Sequence, residues 1–315
     1  MTDAPRVSIS VVIPCFNSAA TLPALLESLE NQTLGRDRYE IILVDDGSDD
    51  DSCQVARRYG GVAIHRQDHR GSGAAREAGM ALAGGELVLY LDADAYAAPD
   101  LLEQHVQYHR GHPQVAATGG SVLPAGPYGI MSWQMVDHLS SWFNCHPRSR
   151  YSAPPEYLPS LNFCVKKDLV QQHQVSWADG LAHSGEDVLF CHDLRRQGLS
   201  LAFVPAAVLC HHDRPTAAGH LRHMRRWGEH APYVRGRLPS LRYSFLFPRS
   251  RLKLAAALPL IVLGYTALIA AAWLRAKPLT VLLCLPQIFL GRLAYAGGVW
   301  TSTTKRPPVA RASRP

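Results

Sequence analysis

The sequence predicts an α/β protein, with a mostly parallel sheet covered by helices on both faces, followed by a C-terminal helical membrane hairpin. Two observations lead to this prediction. The first half of the chain alternates short apolar, strand-like segments with segments whose apolar residues recur at helical spacing, an order typical of parallel sheets. The last quarter contains two apolar runs, each long enough to cross a hydrocarbon layer of roughly 30 Å as a helix.

The strands and helices of the first half follow from apolar patterning and from turn residues. We predict a capping box formed by Ser48 and Asp51 at the start of the second helix. The βαβα order places successive strands parallel. The predicted strands cover Val7–Ile13, Tyr39–Val44, Val62–Arg66 and Leu87–Leu91, and the predicted helices cover Ala19–Asn31, about Asp50–Arg58, and Gly73–Ala83.

The two apolar runs differ in their polar content. The first, Leu252–Leu274, is interrupted only by Lys253 near its start. The second, Leu279–Trp300, contains Gln287 and Arg292, and an arginine at the centre of a membrane helix costs ~2.5 kcal/mol or more. We therefore expect the second run either to span with Arg292 snorkelling to the interface or to lie re-entrant. A buried helix pair in a soluble protein is the alternative for both runs.

Charge is distributed unevenly along the chain, whose formal net charge is +6. Between Arg214 and Lys253 there are many arginines and one acid, Glu229, whereas the first hundred residues are mildly acidic. This asymmetry indicates an anionic partner, phosphate or an anionic membrane face, for the C-terminal third. Basic residues also flank the apolar pair and predict that both of its ends lie in the cytoplasm: Arg249, Arg251 and Lys253 before it, and Lys305, Arg306, Arg311 and Arg314 after it.

The seven cysteines form no CxxC pair, and the N-terminal residues lack the apolar core of a signal peptide. We therefore expect reduced thiols in the cytoplasm. One group of metal-ligand residue types has a spacing that fits no closed zinc site, so no structural zinc is predicted there. Its members are Cys191, His192, Cys210, His211 and His212.

Two acidic turns follow two of the predicted strands. Asp45 and Asp46 follow the second strand, and Asp92 and Asp94 follow the fourth. Ligands of parallel sheets bind at the carboxyl ends of the strands, so we expect the four acids to converge on one crevice. Like charges this close require a raised pKa, a cation or a hydrogen-bonded ligand, and a hard divalent metal completed by phosphate and water fits this pattern. A single aspartate after a strand is also typical of a turn or a helix cap.

A glycine-rich stretch, Gly71 to Gly79, lies between the acidic turns and resembles a dinucleotide-binding fingerprint only in part. Arg76 stands where the third glycine of GxGxxG is required, which argues against that site. The stretch instead predicts a tight loop that opens a helix, with Arg76 projecting towards the acidic edge. There its guanidinium would hold Asp46 or Asp92, or contact a base or a phosphate.

Four segments of the chain, taken in order, resemble the inverting, nucleotide-sugar-dependent family 2 glycosyltransferases of the GT-A fold, a Rossmann-like architecture. These segments are VSISVVIPCFNSAATLPALLESLENQT, VDDGSDDDS, GSGAAREAGMALAGGELVLYLDADA and SGEDVLFCHDLRRQG. The resemblance covers roughly residues 5 to 230. It implies that Pro14 to Asn17 form the first nucleotide-contacting loop and that Asp45 or Asp46 receives the base or ribose of the donor.

The resemblance also assigns the remaining donor and metal residues. Arg76 matches the arginine of the family's ARNxG element, with Glu77 in place of the usual asparagine. Asp92 and Asp94 match the DxD motif, which implies that Asp94 ligates Mg²⁺ or Mn²⁺ on the diphosphate and that Asp92 supports the ribose or the metal. Asp187 matches the family's general base.

The position of Asp187 also fits a base on chemical grounds. Inverting transfer needs a group that takes the proton of the attacking hydroxyl while a metal offsets charge on the leaving diphosphate. The segment predicts a helix with Ser184 near its cap, Asp187 in its first turn and Gly198 beyond its end. We expect the helix dipole to keep Asp187 ionised, although a capping carboxylate without chemistry has the same spacing. Glu186 is the alternative base.

A later segment, His223 to Trp227, resembles the QxxRW element of some family 2 synthases, with His223 in place of glutamine. The resemblance makes Arg226 and Trp227 candidates for contacts with the acceptor or the diphosphate, and Glu186 is a third candidate. A basic juxtamembrane helix resting on anionic lipid explains the same residues.

The sequence therefore predicts a glycosyltransferase that moves one sugar from a UDP-, GDP- or dTDP-linked donor to a lipid-linked or glycan acceptor, with Mg²⁺ or Mn²⁺ and without nucleic acid. Its predicted place is the inner or plasma membrane, with the catalytic domain in the cytoplasm. Two alternatives are a membrane protein that binds nucleotide sugar without catalysis and a sugar nucleotidylyltransferase, which needs a glycine-rich phosphate loop where PCFNSAA stands. The predicted segments are a catalytic domain (1–235), a basic juxtamembrane segment (236–251), a membrane hairpin (252–300) and a basic tail (301–315).

Overall fold

The computed structural model of the chain describes residues 7–149, 151, 154–177, 184–248 and 250–302. These residues cluster into two compact units. The first unit contains residues up to 125 and residues 150–211, and the second contains residues 126–149 and the described residues from 212 onwards. Residues 212–235, which the sequence assigns to the catalytic domain, thus cluster with the second unit. The predicted domain boundaries stay predictions, because compactness alone does not test them.

Eighteen strands and helices lie within the described residues. The strands are β1 (Ile9–Cys15), β2 (Tyr39–Asp45), β3 (Val62–Arg66), β4 (Leu87–Leu91), β5 (Ala95–Ala97), β6 (Val115–Pro124), β7 (Asn162–Lys166) and β8 (Ser200–His211). The helices are α1 (Leu22–Glu30), α2 (Ser52–Ala56), α3 (Ser72–Leu82), α4 (Leu101–Gly111), α5 (Trp133–Ser141), α6 (Lys167–Gln172), α7 (Glu186–Arg196), α8 (Ala217–Arg237), α9 (Arg251–Leu274) and α10 (Pro278–Ser302). Short 3₁₀ turns lie at Arg36–Arg38 and Ser244–Leu246.

All eight strands belong to one sheet in the first unit, in the order β3-β2-β1-β4-β7-β6-β8-β5. The four strands of the predicted βαβα region are parallel neighbours, as expected. Strand β7 runs antiparallel to β4 and β6, and β5 runs antiparallel to β8. The sheet is therefore mixed, with its parallel half at the N-terminal end of the chain.

Burial explains why these segments take their observed form. Strand β1 is buried along nearly its whole length, as expected for a central strand covered on both faces. In α1, four leucines at helical spacing are fully buried and bind the helix to the sheet: Leu22, Leu25, Leu26 and Leu29.

The predicted capping box is wrong. The Ser48 hydroxyl accepts a hydrogen bond from the backbone N–H of Asn17 at 2.9 Å and thereby joins the loops that follow β1 and β2. Asp50 supplies the carboxylate at the start of α2, where it accepts from the backbone N–H of Ser52 at 3.0 Å. The N-cap of α2 is Asp51, three residues after Ser48, and its side chain makes no capping hydrogen bond.

The parallel pairing positions the acidic turns. Asp45 ends β2 opposite Cys15 at the end of β1, and Asp92 follows the last residue of β4 directly. Because β2, β1 and β4 are adjacent and parallel, both turns leave the same edge of the sheet. The antiparallel pairing of β5 with β8 then sets Ala95 opposite His211, which brings His211 next to the second acidic turn.

The second unit is helical, and its four helices pack through small and apolar residues. Gly228 of α8 and Gly298 of α10 allow these helices to approach closely, since a Cβ on either would lie 2.0 Å from a backbone oxygen of the other helix. Helices α9 and α10, of 24 and 25 residues, are long and apolar enough to cross a membrane by length and composition. A core of α5, α9 and α10 includes Trp273, whose indole N–H donates to the Leu139 carbonyl at 3.0 Å.

Arg292 on α10 is buried rather than directed to an interface, so the snorkelling expected for it is wrong. Its guanidinium donates to the carbonyl of Ser140 at 3.2 Å and to the sulfur of Met224 at 3.1 Å. The rings of Tyr265 and Tyr295 lie 6.0 and 5.7 Å from it. Insertion scales describe an isolated helix, whereas here α5 and α8 supply hydrogen-bond acceptors and α9 and α10 supply aromatic rings.

Candidate active site

The carboxylate of Asp46 is buried and serves as an anchor for the loop before α3. It accepts from the backbone N–H groups of Arg70 and Gly71 at 2.9 and 2.8 Å and from the side-chain amide of Gln67 at 2.7 Å. The imidazole of His69 lies 2.9 Å from it. Gly71 has a φ of +95°, a conformation that favours glycine. Asp46 therefore fixes the shape of the loop that carries the chain into α3.

Asp45 is buried as well and has its own partners. The guanidinium of Arg66 lies 3.3 Å away, and the backbone N–H of Ser48 and the thiol of Cys53 donate to it at 3.1 and 3.2 Å. The four acids of the two turns thus form two separately compensated pairs rather than one cluster. Arg76 contacts the second pair, so the expectation that it holds Asp92 is the one the geometry supports.

The loop after β1 presents an aromatic surface. Asn17 adopts a φ of +52°, and its side-chain oxygen accepts from the backbone N–H of Asp49 at 2.9 Å. The neighbouring Phe16 is 44% exposed and stacks on His69, with ring centroids 4.3 Å apart. Pro14 lies in β1 opposite Val44. An exposed aromatic pair at a strand end offers a flat face on which a base can stack.

Arg76 connects the second acidic turn to helix α7. It is buried, and its two terminal nitrogens lie 3.0 Å from Asp92 and 2.9 Å from Glu186. Glu186 also accepts from the hydroxyl of Ser72 at 2.8 Å, and the Arg76 guanidinium lies 5.3 Å from the centre of the Trp177 ring. One guanidinium, bonded through both arms, thereby fixes the start of α7 relative to the DxD turn.

The departure from the family pattern at Glu77 has a structural explanation. The Glu77 carboxylate accepts from the backbone N–H of Trp177 at 2.8 Å and from the hydroxyl of Ser176 at 3.1 Å. Its charge therefore ties the segment that precedes α7 to α3.

Asp94 is the more open acid of the second turn, with 43% of its side chain exposed against 33% for Asp92. The Nε2 atom of His211 lies 3.5 Å from the Asp94 carboxylate. Desolvation raises the pKa of Asp92 and the charge of Asp94 adds to this rise, whereas Arg76 and His211 oppose it. A cation placed on these two acids would relieve that repulsion.

The donor set fits a hard divalent metal that is only partly held by protein. Two carboxylates lie at the turn, which suits Mg²⁺ or Mn²⁺ with the remaining positions taken by phosphate and water, and His211 lies 3.5 Å from one of them. Among the described residues there is no ready-made cluster of three histidine, cysteine or carboxylate ligands.

Asp187 lies in the first turn of α7, which begins after Gly185 in the left-handed conformation (φ +92°). Desolvation, reinforced by the negative charge of Glu186, raises the pKa of Asp187 to about 7, and Arg76 opposes the rise. This rise runs against the expectation that the helix dipole keeps Asp187 ionised, and its causes are desolvation and a neighbouring carboxylate. At neutral pH its carboxyl group is poised between its two protonation states.

Comparisons with known proteins decide the family. The model of glycosyl transferase family 2 matches residues 10–154, and that of glycosyl transferase family group 2 matches residues 87–295. The second match covers well over half of the chain. The chain belongs to the family 2 glycosyltransferases.

Individual relatives agree with this assignment. The chain is 29% identical over 212 residues to glycosyltransferase AglE of Haloferax volcanii, which covers 66% of this chain and 67% of that protein. It is 37% identical over 185 residues to the undecaprenyl-phosphate 4-deoxy-4-formamido-L-arabinose transferase of Klebsiella pneumoniae, with 48% and 56% covered. Matches of this extent leave substrates to be proposed.

A solved structure supports the fold. The mannosyltransferase PcManGT of Pyrobaculum calidifontis, in complex with GDP-Man and Mn²⁺, superposes with a TM-score of 0.60 at 20% identity and covers 95% of this chain and 88% of its own. The predicted GT-A fold, followed by two apolar C-terminal helices, is confirmed.

Within this family 2 glycosyltransferase, the remaining candidates lie elsewhere. Arg226 and Trp227 are on α8 in the second unit, where Arg226 is exposed and Trp227 packs on the cluster that contains Met224. Their roles stay predictions. His211, considered in the sequence only for zinc, joins the acidic turn because of the β5–β8 register. Phe16 lies within the loop Pro14 to Asn17 that the resemblance assigns to the nucleotide, whereas His69, which stacks on it, was not predicted.

Proposed function

We propose that the chain is an inverting glycosyltransferase that moves one sugar from a nucleotide sugar to a lipid-linked or membrane-proximal acceptor at the cytoplasmic membrane face. The observation that carries the proposal is the bridge made by Arg76. It joins Asp92, in the turn that suits a donor diphosphate, to Glu186, the neighbour of the candidate base Asp187. Sugar transfer requires the metal site and the base to be held at a fixed distance and orientation. The Arg76 bridge holds them in this way.

The donor nucleotide would occupy the edge formed after β1 and β2. Phe16 offers its exposed face to the base, and the loop held by Asp46 contacts the ribose, with Asn17 and Asp45 shaping the same edge. PcManGT is solved with GDP-Man, and a UDP-, GDP- or dTDP-linked sugar is proposed here.

The metal would be held by Asp94 and Asp92, with His211 as a further ligand. When bound, Mg²⁺ or Mn²⁺ offsets the negative charge that develops on the leaving diphosphate. Arg76 keeps Asp92 in place for this role and brings a fixed positive charge close to the same turn.

Asp187 is the proposed base, and its neighbour Glu186 is not. Glu186 is occupied by Arg76 and Ser72, whereas the pKa of Asp187 is raised to about 7, which suits a general base at neutral pH. Asp187 would accept the proton of the acceptor hydroxyl as its oxygen attacks the anomeric carbon. The bond to the diphosphate breaks on the opposite side, which inverts the configuration.

The membrane part of the proposal rests on α9 and α10. Many leucines on these helices are exposed, including Leu260 and Leu263 at 59% each. The Klebsiella relative is, by its name, a transferase to undecaprenyl phosphate, which supports a lipid-linked acceptor. The full chain should sediment with membranes, and a chain ending before residue 249 should not. A soluble full chain would favour a buried helix pair instead.

The sharpest test of the chemistry is Asp187→Asn, which keeps the side-chain size but removes the capacity to accept a proton. Donor affinity should survive, while kcat falls by roughly 10² to 10⁴. Donors are found by thermal shift against a panel of nucleotide sugars with and without Mn²⁺, and affinity is then measured by calorimetry. Asp193→Asn, the same change two turns further along α7, is the matched control and should retain turnover.

Loss of donor affinity in Asp187→Asn would make Asp187 a donor-binding residue. Unchanged turnover would exclude it as the base. A wild-type chain that binds donor but never transfers sugar, with any acceptor tested, would support the non-catalytic alternative.

A further inference from the structure

The chain after Glu229 carries positive charge without acids of its own. Residues 230–315 contain ten arginines and three lysines but no aspartate or glutamate. The last acid, Glu229, already pairs with Arg225 at 3.4 Å. Any anion that neutralises the cations after residue 230 must come from earlier in the chain or from outside it.

An apolar groove of about 410 Å³ opens on α9, within the ~300–1,000 Å³ typical of ligand sites. Gly264, Ala267 and Ala271 line it and recur every three or four residues, so they share one face of the helix. Their small side chains leave a channel between the exposed Leu260 and Leu268. A Cβ added at Gly264 would meet no atom within 4 Å among the described residues, so the channel is open there.

The segment before α9 forms one end of this groove. Arg235 and Arg242 lie at that end. Tyr243 and Tyr265 line the groove, and each contacts the side chain of an arginine. Arg235 donates to the Tyr265 hydroxyl at 3.2 Å and to the Arg242 carbonyl, and the Arg242 guanidinium lies 4.9 Å from the centre of the Tyr243 ring. A guanidinium has five N–H donors, and the bonds named here use two of those of Arg235.

The backbone at this end of the groove adopts an energetically unfavourable conformation. Tyr243 has a φ of +66°, in the left-handed region that disfavours residues other than glycine. The following turn is fixed by the Ser244 hydroxyl, which donates to the Leu238 carbonyl at 2.8 Å. This conformation gives the Tyr243 ring its place in the lining, so the groove depends on it.

We propose that this groove binds an anionic phospholipid of the bilayer, with one acyl chain along α9 and the phosphate group on Arg235 and Arg242. The channel between small residues suits an unbranched hydrocarbon chain, and a guanidinium group suits a phosphate, which it can bind through two parallel hydrogen bonds. The charge of residues 230–315 selects an anionic over a zwitterionic head group. This inference is independent of glycosyl transfer, because its site lies entirely in the second unit.

Binding of phosphatidylglycerol with a fluorescent acyl chain to the detergent-solubilised full chain tests the proposal. We expect it to bind more tightly than phosphatidylcholine labelled in the same way. Arg235→Gln and Arg242→Gln should each weaken phosphatidylglycerol binding by about 5-fold and leave phosphatidylcholine binding almost unchanged. Arg237→Gln, an exposed arginine on the same helix as Arg235, is the charge control.

The acyl-chain site is tested separately with adjacent alanines of α9. Ala271→Leu fills the groove, whereas Ala272→Leu adds the same volume to an exposed position outside the lining. Only the first should weaken binding, and both variants should keep the wild-type midpoint of thermal unfolding, which shows that they fold.

Three results would overturn the proposal. Equal affinities for the two phospholipids would exclude recognition of the head group. Equal effects of the two leucine substitutions would exclude the groove as the acyl-chain site. Displacement of phosphatidylglycerol by an isoprenyl phosphate at much lower concentration would replace the bilayer lipid with a different occupant. All three measurements read lipid binding rather than turnover, so they stand whether or not sugar transfer is found.

Discussion

In the first unit the acids of the sheet edge are matched by donors of the same chain, whereas in the second unit the arginines after residue 230 have no acid among their neighbours in sequence. Asp46 holds backbone N–H groups of its own loop, and Asp92 holds Arg76. Arg235 instead donates to a tyrosine hydroxyl and a carbonyl. Charges paired within the chain fix a geometry, and charges left in excess attract an external ion.

The acids of the two turns also differ in their structural role. Asp45 and Asp46 are fully enclosed and build the loops, whereas Asp94 retains 43% exposure and faces solvent. Residues that support the site are thus compensated before any ligand arrives. The residue proposed to meet the metal is the most open of the four.

The largest effect is expected at Asp94, because it is the most exposed of the four acids and the one proposed to ligate the metal. Asp94→Ala should lower turnover by roughly 10³-fold, the equivalent of several kcal/mol of transition-state stabilisation. It should also abolish the thermal shift that Mn²⁺ produces in the presence of donor, and EDTA should reduce wild-type turnover in the same direction. Wild-type turnover in Asp94→Ala, or in EDTA, would show that the exposed acid does not differ from the buried acids by binding a catalytic metal.

Arginines of the two units should differ in their contribution to stability. Arg76→Gln leaves Asp92 and Glu186 without their buried cation, and breaking a buried ion pair costs ~3–5 kcal/mol of unfolding free energy. Arg242→Gln removes an exposed charge and should change the free energy of unfolding by about 0.5 kcal/mol or less. Chemical denaturation followed by tryptophan fluorescence measures both. Similar losses for the two variants would contradict the distinction between paired and excess charge.

Local patterning predicted the parallel half of the sheet well. Strands Val62–Arg66 and Leu87–Leu91 are confirmed residue for residue, and the other predicted elements of this half begin and end within three residues of their observed bounds. In this half, strands and helices alternate in short segments with their own apolar periodicity, so each signal is local in sequence. The three-residue β5 and the antiparallel β7 gave no comparable signal, because their partners are distant in sequence.

The candidate site was predictable in its residues but less so in their pairing. The resemblance located Asp92, Asp94 and Asp187, while the contact of His211 with Asp94 depends on a strand register that joins residues more than a hundred positions apart. The raised pKa of Asp187 depends on desolvation and on Glu186, neither of which a helix-dipole argument contains. Arg292 was misjudged for the same reason, since its partners lie on α5 and α8.

The pH dependence of kcat/KM, measured at saturating metal for the wild type and for Glu186→Gln, tests most directly the claim that Asp187 is the base. A general base must be deprotonated, so kcat/KM of the wild type should rise with pH and level off above about 7, the pKa of Asp187. Removing the negative charge of Glu186 takes away one cause of that raised pKa, so the rising limb should move to lower pH in Glu186→Gln. A limb that stays in place, or moves to higher pH, would contradict the assignment of Asp187 as the base.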